Sequence, residues 1–121
     1  MAVDVHFGDL LVGNVTFQNI GSTQGTFFLS FGISEVGGSS VSSTGLTDLI
    51  LGAGQTRTDS LSIFLDPAVF LERTYDLYCY LMVLDVQADN WVFCDEVVLS
   101  SAIRIVPGIG GQILNFTFGT W

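Results

Sequence analysis

The chain has 121 residues, no lysine, and only Arg57, Arg73 and Arg104 against twelve acidic residues, a formal net charge of −9. That balance repels phosphate backbones and anionic lipid heads and argues against nucleic-acid binding or insertion into a membrane. With 12% charged residues and a mean hydropathy of +0.57, it has too few polar groups to cover itself as a free monomer, so its partners are expected to be proteins.

The abundance of Phe, Tyr, Trp, Val, Ile and Thr, with scarce Ala and Glu, favours sheet over helix. Residues Met1 to Asp4 carry no basic segment followed by a long apolar one, so a product made in the cytoplasm is expected rather than a secreted one. The longest apolar run, Leu77 to Leu84, suits a strand and is too short for a membrane span.

Two-residue alternation places strands at Val3 to Phe7 and Leu10 to Gln18, the second with Leu11, Gly13, Val15 and Phe17 on one face. Asn19-Ile20-Gly21 turns the chain into a strand over Thr26 to Glu35, where Phe27, Leu29, Phe31 and Ile33 share a face. Gly37 to Gly45 is rich in Ser and Gly with Val41 as its one hydrophobe, and reads as a contact loop or weak edge strand. Leu46 to Leu51 and Gln55 to Leu65 follow as strands, the latter with one wet face. Asp66-Pro67 breaks the pattern, and Ala68 to Glu72 suits a single helical turn.

Thr74 to Asp85 is apolar on both faces, so it is expected to lie centrally with both faces covered. After a turn at Gln87 to Asn90, Trp91 to Val98 and Ala102 to Val106 are the next strands. In-register pairing of the hairpin sets Cys79 near Val98 and Cys94 near Val83, so the two cysteines are expected as free, buried thiols. Beyond Pro107, the glycine-rich run Gly108 to Gly111 acts as a hinge. The final strand, Gln112 to Trp121, either closes its own sandwich or adds to a neighbour's sheet edge. The expected organisation is a β-sandwich over residues 1–107 and a hinged C-terminal strand over 108–121, all-β with seven or eight strands plus that extra one.

Val15 to Val106 resembles the immunoglobulin-like cell-adhesion-related domain of bacteria and archaea. The similarity lies in Val15-Thr16-Phe17-Gln18-Asn19-Ile20-Gly21, in the corner Leu51-Gly52-Ala53-Gly54-Gln55-Thr56, and in the long strand Tyr75 to Asp85. The resemblance implies an antiparallel immunoglobulin-like sandwich used for adhesion, display or packing, and transfers no catalytic residue.

His6 is the sole histidine, so neither a histidine triad nor a multi-histidine metal site fits within one chain. There is no Gly-x-Ser-x-Gly elbow or phosphate loop, and no cofactor is expected. Asp85, Asp89, Asp95 and Glu96 supply the hard oxygens that calcium needs, although their spacing is not a calcium-loop motif; solvated turn acids are the simpler reading. Trp91, Trp121, Tyr78 and Tyr80 suit either sugar stacking or protein contacts. The expected function is a structural, non-enzymatic assembly subunit, a virion capsid or decoration protein, with Ile113, Phe116, Phe118, Trp121, Trp91 and Val41 as interface residues. Its partners would be copies of itself or other structural proteins of the assembly. The alternative is an extracellular or cell-surface adhesion, filament or carbohydrate-binding module.

Overall fold

A computed structural model describes residues 2–106 and 113–120. Its described residues form an all-β chain of seven strands: β1 (Val3–His6), β2 (Leu10–Gln18), β3 (Gly25–Glu35), β4 (Ser40–Leu51), β5 (Thr56–Phe64), β6 (Thr74–Asp85) and β7 (Asn90–Val106). Five of them make a large sheet in the order β1-β7-β6-β3-β4, and β2 pairs with β5 in a small sheet. All pairs are antiparallel except β1 with β7, which runs parallel from Val3 opposite Ile103 to His6 opposite Val106. The large sheet is therefore mixed, because β1 enters alongside the last turns of β7 rather than folding back on a neighbour. Among the described residues no helix is long and apolar enough to cross a membrane.

The alternating faces explain how the two sheets pack. Phe27, Leu29, Phe31 and Ile33 of β3 meet Phe17, Leu61 and Ile63 of the small sheet, and Leu49, Leu51, Ile103 and Ile105 complete a buried core. Phe17 and Phe27 pack with ring centroids 6.0 Å apart. The opposite face of the small sheet is wet: the hydroxyls of Thr16 and Thr58 hydrogen-bond at 2.8 Å across the pair. Asp66 caps a single turn, accepting the Ala68 N–H on its side chain at 2.9 Å and the Phe70 N–H on its carbonyl at 3.0 Å. This turn delivers the buried Phe70 edge-on to Tyr75, with centroids 5.5 Å apart.

Several expectations change. The Ser/Gly stretch is an edge strand, as one of its two readings had it, but from Ser40 onward it joins Leu46 to Leu51 as a single strand, β4, and Val41 is half-buried against the core. Trp91 to Val98 and Ala102 to Val106 are one strand, β7, because its two extra stretches are absorbed as bulges. Between the pairs Tyr75–Ile103 and Leu77–Leu99, β7 advances further than β6, and Ser101 takes a positive φ of 49° there. Cys94 is the extra residue of a second bulge, between Leu81–Asp95 and Met82–Phe93. Cys79 consequently faces Val97. Both thiols are free, but only Cys79 is even half-buried; Cys94 is exposed. Strand β6 is central as expected, third of five, yet its faces are only partly covered. Residues 113–120 are exposed and carry no strand; Gln112 and Trp121 of the expected C-terminal strand and the hinge at 108–111 lie outside the described residues.

Candidate interaction surfaces

The outer face of the large sheet carries an aromatic cluster. Phe28 of β3, Tyr78 and Tyr80 of β6 and Trp91 of β7 occupy successive positions on that face because β3, β6 and β7 pair in register. The Tyr78 and Tyr80 rings stack nearly parallel, 6.3 Å apart and 2° from coplanar. Phe28 lies 6.1 Å from Tyr80 and 6.0 Å from Trp91. Two glycines make room for these rings: Gly32 lies directly under Tyr78, with no space for a Cβ, and Gly45 lies under the Phe28 ring. Ser40 fixes the Tyr78 hydroxyl with a 2.8 Å hydrogen bond. All four rings are half-buried, so the cluster presents aromatic edges and faces to solvent while anchored beneath.

The inner side shows a different arrangement. The small sheet has two strands against five; Tyr75, Ile103 and Ile105 are buried in the core, but the inner face is only partly covered on β6 from Leu77 onward and exposed on β7 at Val97 and Leu99. A groove follows the β2 edge. At one end Val12, Val15, Phe31, Leu77, Val97 and Leu99 line a cleft of about 270 Å³. Further along, Val15 and Phe17 face Cys79, Leu81 and Val97, with Asp95 and Glu96 also lining this stretch. At the far end Phe17 and Asn19 face Leu81 and Val83, and here the opening widens to about 680 Å³.

The backbone of β2 is unpaired along this groove. The Leu65 N–H donates to the Asp9 carbonyl and the Asn19 N–H to the Gln55 carbonyl, each at 2.9 Å. Odd-numbered β2 residues therefore bond to β5, and Leu10, Val12, Asn14, Thr16 and Gln18 turn their N–H and C=O groups outward. Residues 91–99 of β7 form the opposite lip, since β1 pairs only with Ile103 to Val106. Val92, Phe93, Val97, Val98 and Leu99 are all exposed.

The C-terminal segment matches this surface in chemistry. Ile113, Leu114, Phe116 and Phe118 are between 83% and 88% exposed. No charged side chain follows Arg104. Exposure at this level leaves nearly the whole apolar area of these side chains in water, which isolated chains rarely tolerate.

The other expected site residues are dispersed. Asp85 caps its own turn, accepting the Gln87 N–H at 3.1 Å and the Ala88 N–H at 3.2 Å, with Asp89 in the same turn at φ 54°. Asp95 and Glu96 lie further along β7, opposite Leu81 and Tyr80. Among the described residues no three acids, histidines or cysteines gather as metal ligands. His6 is exposed beside Asp9, whose carboxylate accepts its backbone N–H at 2.9 Å.

Sequence reasoning found Trp91, Tyr78 and Tyr80 but not their partner Phe28. Alternation puts Phe28 on one face with the small Ser30 and Gly32, and only the cross-strand register shows that this face has room for rings. It likewise missed the groove floor of Leu77, Val97 and Leu99, because a strand apolar on both faces does not say which face stays open. Comparison with protein-family models, curated proteins and solved structures finds no match.

Proposed function

We propose that the chain is a structural, non-enzymatic subunit of a virion, a capsid or decoration protein built on an immunoglobulin-like sandwich, whose partners are copies of itself or other proteins of the same shell. The observation that carries this reading is the run of exposed hydrophobics on β7, Val92, Phe93, Val97, Val98 and Leu99, interrupted by Asp95 and Glu96, together with the exposed Ile113, Leu114, Phe116 and Phe118. Surfaces of this kind are characteristic of protein interfaces, where aromatic and aliphatic anchors supply the affinity. A short chain poor in charge suits a tightly packed shell, in which most of its surface meets other protein. Light scattering on purified protein tests it: masses of several chains at tens of micromolar are expected, and a strict monomer overturns the assembly.

The aromatic face favours a second reading, a cell-surface adhesion, filament or carbohydrate-binding module. Rings held flat over glycines are suited to stacking on sugar faces as well as to burying a protein partner. Under this reading Trp91→Ala abolishes binding to a glycan array while leaving the oligomeric state unchanged; under the first it binds no glycan before or after the substitution.

A further inference from the structure

We propose that residues 113–120 of one copy insert as an added strand into the groove beside β2 of a second copy, an inference that rests on the assembly reading above. The groove and the segment match in four respects. From Leu114 onward the segment alternates: Leu114, Phe116 and Phe118 fall on one face of an extended strand, and Asn115 and Thr117 on the other, with Ile113 at the start of that second face. The groove asks for that pattern, with Leu77, Val97 and Leu99 on its floor and the polar Thr16–Thr58 face continuing outside. Lengths agree as well. Eight extended residues span about 26 Å, close to the nine-residue β2.

Hydrogen bonding supplies the third match. Val12, Asn14 and Thr16 direct unpaired backbone groups along the edge, and an added strand satisfies them. Addition to the β7 lip instead would extend the large sheet but leave the new strand's inner face uncovered, whereas addition to β2 places Phe116 and its neighbours on the apolar floor. Charge is the fourth. Copies at −9 repel one another, and the stretch after Arg104 is uncharged, so it can approach a like-charged partner at the least electrostatic cost. A second copy is the occupant because the chain's own segment stays exposed and outside its groove.

Full-length variants test the inference. Phe116→Asp/Phe118→Asp disables the donated strand, and Val97→Asp/Leu99→Asp disables the groove at two exposed positions, so both should retain wild-type cooperative melting. Each alone is expected to be monomeric by light scattering. Their equimolar mixture is expected to form a species of two chains and nothing larger, since one intact groove meets one intact segment. Assembly of either variant as in the wild type, or a mixture that remains monomeric while the wild type assembles, overturns strand exchange but leaves the assembly reading in place. A monomeric wild type overturns both. If hydrogen exchange shows residues 113–118 protected in that monomer, the segment fills its own groove.

Val12→Pro removes an outward N–H without touching a β2–β5 bond, and is expected to weaken association at least 10-fold. Unchanged association would overturn pairing along β2.

Discussion

The buried carboxylate of Asp76 accepts the backbone N–H of Ser101 at 2.6 Å, and thereby holds the bulge that lets β7 run unbroken through Asn90–Val106. Its second oxygen accepts the Gly37 N–H at 3.1 Å, tying the β3–β4 turn to the same point. Asp76→Ala leaves both N–H groups unpaired in a half-buried setting and is expected to cost about 2–4 kcal/mol in urea unfolding. Asp76→Asn, which keeps one acceptor, should cost less.

Asn19 plays a comparable part at the other end of the sandwich. Buried at the end of β2, it donates to the carbonyls of Thr23 at 2.9 Å and Leu51 at 3.0 Å and accepts the Gly21 N–H at 2.9 Å. Asn19→Ala is expected to destabilise by about 1–3 kcal/mol. Asn19→Asp should be worse than Ala in the same thermal melts, because it sets a carboxylate against two carbonyl oxygens.

The ring of Tyr78 depends on the bare backbone at Gly32. Gly32→Ala drives the ring away, breaks the Tyr78–Tyr80 stack and the Ser40 hydrogen bond, and is expected to cost about 1–3 kcal/mol with loss of near-ultraviolet dichroism. In the background of Tyr78→Ala, the same glycine substitution should cost markedly less, and an equal cost in both backgrounds would disprove the coupling.

Partial desolvation pushes both thiols above the ordinary cysteine range, even at Cys94, which is exposed as a residue; the nearby carboxylate of Asp95 adds to the rise at each, and that of Glu96 at Cys79. Alkylation at pH 8 should therefore run slower in the folded protein than in urea, and accelerate with pH past the normal thiol value. The folded state holds these protons longer than the unfolded chain. Stability should consequently fall as pH climbs from the ordinary thiol value to the raised one, and Cys79→Ala/Cys94→Ala should flatten that part of the curve.

Association between copies at −9 should strengthen as salt screens their repulsion. Raising ionic strength from about 0.05 to about 0.5 M shortens the Debye length severalfold. Sedimentation equilibrium should show a lower dissociation constant at the higher salt; weakening instead would point to ion pairs at the contact.

Strands β2 and β3 were legible from the sequence because their alternation is long, and β6 because its apolar run is closed by Asp76 and Asp85; the bounds expected for β2 and β6 match those observed. Strands β4 and β7 were not, for different reasons. The first half of β4, Ser40 to Gly45, is Ser, Thr and Gly around the lone Val41, with no apolar alternation, while in β7 the bulge at Ser101 shifts the side-chain phase between Val98 and Ala102, so each strand reads as two segments. The aromatic surface was half legible: Trp91, Tyr78 and Tyr80 announce themselves, while their support by Gly32 and Gly45 follows only from cross-strand register. The groove was illegible. It arises from the count of strands in each sheet, a property of topology to which no single segment testifies.

The two-stranded small sheet gives any assembly joined along β2 a direction. A head-to-tail contact of this kind uses two unlike surfaces, so each array that does not close into a ring has one end showing a groove and another showing a free segment. Growth can then be started or stopped at one end alone, and a cap needs to imitate only a single apolar strand.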